Sequence, residues 1–259
     1  MFHQVVPIVS NREAAPGIFV LAFKAPAIAG SALAGQFVNI KVNEENAGPL
    51  LRRPLSIYNI NGDEVSVLFN IRGSGTAILS GKKAGDRIDI IGPLGNSFTV
   101  DDGFETAILA GGGVGVASLP LLTAALKKNR KQIITYLGAR TSDGLVPEFL
   151  ENVRFATDDG SRGNRGTVVG LLNSELRNGQ ILKSKIFACG PPAMLQTLSD
   201  LALEMNIPCE VSVESVMACG IGLCQGCPIE LVNQEAKYAL VCKDGPIFDS
   251  RIVRIVLHV

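Results

Sequence analysis

Four of the six cysteines crowd into one segment. Cys219, Cys224 and Cys227 are spaced C-x4-C-x2-C, and Cys242 follows after fourteen residues. That spacing, with a distant fourth thiol, is the one used by plant-type [2Fe–2S] ligation. Gly220, Gly222 and Gly226 lie between the thiols. A cluster with bridging sulfides carries negative charge, and glycine lets backbone N–H groups approach its sulfurs closely. The alternative is zinc. Zinc knuckles usually offer paired C-x2-C units or histidines, whereas here there is one C-x2-C and the two histidines, His3 and His258, stand at the chain ends. Iron–sulfur is the preferred reading and zinc stays open. Cys189 and Cys209 stand apart and are not read as ligands. No charged side chain separates Cys219 from Cys227, so this loop is suited to face a partner.

Two further stretches suit phosphates. Arg52-Arg53-Pro54-Leu55-Ser56-Ile57-Tyr58 follows an expected strand, and Gly73-Ser74-Gly75-Thr76 leads into a short helix. A glycine turn opening a helix offers free N–H groups to a phosphate, and Arg53 supplies a charge-assisted partner. Farther on, Gly111-Gly112-Gly113-Val114-Gly115 lies between an expected strand and an expected helix, the context of a dinucleotide site. It does not fit G-x-G-x-x-G, because Val116 takes the third glycine position. The next strand ends on Arg140 with no acidic residue, which by Rossmann rules favours NADP over NAD. A second turn, Cys189-Gly190-Pro191-Pro192-Ala193-Met194, ends a later strand. Ligands of such sheets bind beyond the carboxyl ends of strands, so both turns should face one crevice.

These residues need elements to hold them. The runs IFVLAFKAP, QFVNIKV, EVSVLFNI and DRIDIIGPLG are short and β-rich, with turn residues between them. They predict an all-β barrel or sandwich over residues 1–102. Residues 103–207 alternate: strands at ETAILA, QIITYLGA, VRFAT and KSKIFACG, and helices at SLPLLTAALKKN and 192–204. That order predicts a parallel sheet with crossover helices. Residues 208–259 form the cysteine-rich unit. The fold class expected is thus an antiparallel barrel plus an α/β domain and a small C-terminal domain.

Composition excludes several classes. Apolar residues reach 47% and charged residues only 19%, which rules out wholesale disorder. Lys+Arg and Asp+Glu balance at 24 each and Trp is absent, so neither a phosphate-binding basic face nor a base-stacking platform is expected. Residues 107–126 carry no charge and are long enough to span a membrane. Their glycines and Pro120 instead predict a strand, a turn and a buried helix. With no basic-then-apolar leader, no secretory signal is read, and a cytoplasmic, disulfide-free protein is expected.

The three motifs in this order resemble the ferredoxin reductase-like family: R-P-x-S in a flavin barrel, then GGGxG and CGPxxM in a nicotinamide domain. CEVSVESVMACGIGLCQGC, YALVCKDGPIFD, RRPLSI and GDRIDIIGPLGNSF look like the electron-transfer subunits of class 1B dihydroorotate dehydrogenases. The resemblance spans nearly the whole chain. It implies FAD, NAD and a [2Fe–2S] cluster, an FMN-containing partner subunit that oxidises dihydroorotate, and a heterotetramer of two plus two. It places Arg53 on the flavin pyrophosphate, Leu55, Ser56 and Ile57 along the isoalloxazine with Ser56 as a candidate donor to its reactive edge, and Pro54 among the cofactor-binding residues. Gly73, Ser74, Gly75 and Thr76 would hold phosphate and ribityl groups. Gly111, Gly112, Gly113 and Gly115 would hold the nicotinamide nucleotide with Gly190 and Pro191. Cys189 is the candidate near hydride transfer, with no certain catalytic residue. Cys219, Cys224, Cys227 and Cys242 would be the ligands. NAD is then favoured over NADP, against the Arg140 reading. One departure stands out: many relatives have EERMACG where this chain has Glu214-Ser215-Val216-Met217-Ala218-Cys219-Gly220. Gamma-type flavin subunits of hydrogenases, sulfite reductases or bifurcating transhydrogenases share all three motifs. A zinc-stabilised binding module is the alternative from another class.

Overall fold

A computed structural model describes residues 1–43, 48–179 and 183–255. Six strands close an antiparallel barrel: β1 (Phe2–Ala15), β2 (Ile18–Lys24), β3 (Phe37–Lys41), β4 (Arg53–Asn61), β5 (Glu64–Asn70) and β6 (Arg87–Leu94). They run in the order β1-β2-β5-β4-β3-β6, and β1 pairs with both β2 and β6, so no edge is left open. Two short helices, α1 (Pro26–Ala29) and α2 (Ser74–Gly81), bridge strands. Val38, Ile40, Ile57, Val65, Val67 and Ile90 fill the interior with Phe23 and Phe69.

β1 was not among the expected strands. Its apolar positions lose a clean two-residue period because register shifts break the pairing at Ile8/Ser10 and Glu13/Ala15. The arginine motif follows β3, as expected, and from Arg53 onward is itself strand β4.

The second layer is a seven-stranded sheet, flanked by helices. Its strands are β7 (Thr106–Gly112), β8 (Gln132–Ala139), β9 (Val153–Thr157), β10 (Asn164–Arg165), β11 (Ser184–Cys189), β12 (Cys209–Ser212) and, after two others, β15 (Ile247–Asp249). The order is β10-β9-β8-β7-β11-β12-β15, parallel throughout except for β15. β7 and β11 are buried along their whole length, as central parallel strands must be. The helices are α3 (Leu119–Lys128), α4 (Val168–Arg177) and α5 (Pro192–Glu204). Pro192 at the first turn of α5 suits a helix start. α4 was not anticipated; its N-cap is Thr167, whose hydroxyl accepts from Gly170 N at 3.1 Å. The uncharged stretch 107–126 divides into β7, a 3-10 turn (Gly113–Ser118) and α3. Among the described residues no helix is long and apolar enough to cross a membrane.

The cysteine segment leaves β12 and returns to β15, making a two-stranded hairpin on the way from β13 (Pro228–Glu230) and β14 (Tyr238–Leu240). Two strands from beyond residue 208 therefore complete the large sheet. One buried ammonium pins three elements: Lys185 on β11 donates to Asp102 at 2.7 Å, Glu210 on β12 at 3.0 Å, and Thr99 O at 3.2 Å. With 4% of its side chain exposed, it is a charge retained only because it is paired.

Candidate functional site

The thiols fall into two pairs. Cys219 and Cys224 meet through their side chains, as do Cys227 and Cys242. Backbone N–H groups surround them. Ile221 N and Cys224 N donate to Cys219 Sγ at 3.5 and 3.4 Å, Gly222 N to Cys242 Sγ at 3.1 Å, and Cys242 N to Cys227 Sγ at 3.4 Å. At Cys219 burial opposes ionisation, but the N–H groups of Ile221, Cys224 and Leu223 outweigh it and lower the thiol to about 6. Burial and then the crowding Cys227 thiol push Cys242 up. A cation bound at the Cys242 sulfur would offset that cost and favour the thiolate there.

Among the described residues no three His, Cys, Asp or Glu side chains are set to hold a single metal ion. Two-and-two pairing within an N–H nest suits a two-iron cluster better than one tetrahedral zinc. Cys189 and Cys209 are buried free thiols elsewhere. His3 bonds Asp89 at 2.8 Å on the barrel, and His258 lies outside the described residues.

A cavity of about 310 Å³ opens between barrel and sheet. Arg53, Pro54, Leu55, Ser56 and Thr76 line its barrel side; Gly115, Cys189, Glu214, Ser215 and Met217 line the other. The Arg53 guanidinium lies directly over the Gly75 backbone in the first turn of α2. The first N–H groups of that helix have no intrahelical acceptor, so charge and donors for a phosphate sit together. Thr76 Oγ1 accepts from Arg72 N at 2.8 Å and Gly73 N at 3.3 Å, which holds the turn in shape. Gly73 and Ser74 flank this wall without lining the cavity.

Ile57 differs from expectation. Its side chain is fully buried in the barrel core and does not line the cavity. Arg52 also turns away from its neighbour: its guanidinium grips Asp89 on β6 with two bonds of 2.9 Å.

A larger cavity of about 1160 Å³ lies beyond the carboxyl ends of the sheet. Gly112, Gly113, Gly115, Gly190 and Pro191 line it, and so do Arg140, Asp143 and Asp158. The two glycine turns thus face one crevice. They also touch: a Cβ at Gly115 would stand 2.5 Å from Cys189 O and 2.6 Å from Gly190 Cα, so only glycine fits. Gly111 instead packs against Leu119 and Leu137 and lines neither cavity.

Asn70, Arg72, Val114, Gly115 and Glu214 line both cavities. The cavities therefore meet, with Cys189 at the junction. Burial pushes the Cys189 thiol up to about 11 although Ser118 and Ser212 bond to it, so it is a neutral thiol there. Arg72, Ser212, Glu214 and Met217 were not anticipated. Glu214 and Ser212 end β12 or follow it, where strand-end logic would have pointed had β12 been recognised. On the opposite flank, Phe37 lines the smaller cavity and belongs to the same apolar cluster as Cys227 and Cys242. Met217, two residues before Cys219, and Pro246, four after Cys242, line the smaller cavity and not the larger, so the thiol segment borders the smaller one. Its size and donors fit a flavin, and the larger cavity fits a dinucleotide.

The family model described as the iron-sulfur cluster binding domain of dihydroorotate dehydrogenase B matches residues 214–254. Proteins named "Dihydroorotate dehydrogenase B (NAD(+)), electron transfer subunit" are similar over most of the chain. That of Streptococcus mutans is 40% identical, covering 94% of this chain and 95% of its own. That of Desulforamulus reducens is 37% identical, covering 91% and 92%. Among solved structures, a chain of an NADH-dependent reduced ferredoxin-NADP oxidoreductase superposes with TM-score 0.87 at 31% identity, covering 97% of this chain and 90% of that one. A ferredoxin NADP+ reductase from Neisseria gonorrhoeae with bound FAD and NADP superposes at TM-score 0.65 and 16% identity, covering 78% and 91%, a likeness of fold alone.

Proposed function

Since the chain belongs to the family of electron-transfer subunits of NAD-dependent dihydroorotate dehydrogenase B, we propose that its three sites form one line from a partner subunit to NAD. The observation that carries this is their order: Met217 and Pro246, which flank the paired thiols in the chain, line the flavin-sized cavity, and that cavity shares Asn70, Arg72, Val114, Gly115 and Glu214 with the dinucleotide cavity. When bound, the [2Fe–2S] cluster moves single electrons, and FAD couples them to two-electron exchange with NAD in pyrimidine biosynthesis.

The chain's own residues bind and orient. Arg53 and the opening turn of α2 hold the pyrophosphate, while Pro54, Leu55 and Ser56 lie along the ring system. The Gly112–Gly115 and Gly190–Pro191 turns receive the nicotinamide nucleotide, and Glu214 and the neutral thiol of Cys189 stand where the two ligands would meet. Functionally we divide the chain at residues 1–102, 103–207 and 208–259.

The partner is an FMN-containing subunit that oxidises dihydroorotate, in a two-plus-two assembly. Support comes from the cysteine loop, which presents Leu223 at 77% and Val216 at 83% exposure beside the thiols. Exposed apolar side chains grouped around a redox centre mark an interface. Ser215 and Val216, in place of an acidic-basic pair, leave these two rim positions uncharged. A cytoplasmic location fits the six free thiols.

The kinship with the ferredoxin-NADP oxidoreductase chain favours one rival, a subunit serving a bifurcating partner. Reconstitution decides. The isolated chain should oxidise NADH with dyes yet leave dihydroorotate untouched. Adding the FMN subunit should create dihydroorotate-dependent NAD reduction, and Leu223→Asp should abolish it with flavin retained. Dihydroorotate turnover by the single chain, or no gain with the FMN subunit, refutes the reading.

A further inference from the structure

One polar side chain of the barrel is explained by neither cavity. Asn39 on β3 is 1% exposed. Its neighbours Val38 and Ile40 enter the barrel core. Asn39 and Phe37 therefore occupy the outer face, and Phe37 packs in the cluster that includes Cys227 and Cys242. Asn39 Nδ2 donates to the carbonyl oxygen of Cys219 at 3.2 Å, while its Oδ1 is buried with no partner. An amide here costs more than a leucine unless the donor matters.

The loop is shaped around this contact. Gly220 has φ +72°, and a Cβ there would collide with Asn39 Nδ2. With the Cys219 carbonyl held toward the barrel, the next peptides turn inward: Ile221 N reaches Cys219 Sγ and Gly222 N reaches Cys242 Sγ. On the other side, the β3–β4 register sets Asn39 opposite Pro54, which lines the flavin-sized cavity.

We propose that Asn39 is the positioning residue that ties the cysteine loop to the flavin-binding strand. It fixes the Cys219 carbonyl, and through it the N–H groups aimed at the sulfurs and the seat of the loop on β3. The inference rests on reading the four thiols as cluster ligands.

The test uses the full chain carrying cluster and flavin. Asn39→Leu keeps a branched side chain of four heavy atoms and removes the donor. The expected result is a shifted electron paramagnetic resonance spectrum of the reduced cluster. Rapid mixing with NADH should show cluster reduction slowed roughly tenfold while flavin content matches wild type. A spectrum and cluster-reduction rate equal to wild type overturn the proposal. If Asn39→Leu purifies without iron, Asn39→Gln decides: iron regained with the amide supports the donor's role, and equal loss assigns the defect to packing and overturns it. A wild-type chain that takes up no iron with ferrous ion and sulfide refutes the cluster reading itself, a separate outcome.

Discussion

Asn96 and Ile247 exchange two hydrogen bonds. Asn96 Nδ2 donates to Ile247 O at 2.7 Å, and Ile247 N donates to Asn96 Oδ1 at 2.9 Å. The same amide also reaches Asp244 O at 2.9 Å, and Asn96 N donates to Gly245 O at 2.6 Å. Asn96 stands just past the end of β6, and Ile247 opens β15. A single side chain thereby joins barrel to sheet beside the thiol loop.

Asn96→Ala removes three side-chain bonds and strands backbone groups. Native stability should fall by about 2–4 kcal/mol, measured by urea unfolding of the holoprotein. A loss under about 0.5 kcal/mol would place the strength of this junction elsewhere.

Cys224→Ser removes one sulfur of the Cys219–Cys224 pair. Iron and sulfide content should drop sharply. NADH oxidation by a dye that takes electrons from the flavin should persist, because that path does not cross the thiols. Full iron retention would strike Cys224 from the ligand set.

Arg53→Ala withdraws the guanidinium lying over the opening turn of α2. Loss of a charge-assisted contact is worth roughly 1.5–3 kcal/mol, or about one to two decades in flavin affinity. Gel filtration should strip the flavin while circular dichroism stays native. Arg52→Ala, which breaks the Asp89 grip instead, should lower stability more than flavin affinity.

Cys189 makes a pH prediction. Burial raises its thiol from 9.0 to about 11, so the folded state keeps a proton that the unfolded state releases sooner. Its contribution to stability is complete below pH 9 and is lost as pH rises toward 11. The stability of wild type relative to Cys189→Ala should decline across that window and stay level below it. At pH 8 the folded thiol is ionised in roughly one molecule in a thousand, so iodoacetamide should leave it unmodified. Rapid labelling of Cys189 in native protein would contradict its placement.

The sequence disclosed what is local. The cysteine spacing, the glycine turns and the Pro192 helix start each depend on residues a few positions apart, and all occupy the expected places in the chain. What depends on pairing between distant strands stayed hidden. A contiguous motif reading put Ile57 on the flavin wall, but strand parity sends its side chain into the barrel interior. Parity likewise separates Arg52 from Arg53. Asn39, Arg72 and Glu214 gain meaning only once β3, β5 and β12 have neighbours. β1 hid behind two register shifts, and α4 behind the β-branched Val168 and Val169 and the internal Gly170, all poor helix formers.

The antiparallel pairing of β15 with β12 has a consequence for how the chain emerges from the ribosome. Every strand from β7 to β12 is made before the cysteine segment, yet the partner that covers β12 comes after it. For that interval the nascent nucleotide unit carries an uncovered sheet edge, which invites pairing with other chains. Closure waits until the cysteine loop has been translated, so the half-made protein is most exposed to misassembly while its thiols are also new. A stop codon placed after Cys242 would retain all four clustered thiols and still leave that edge open.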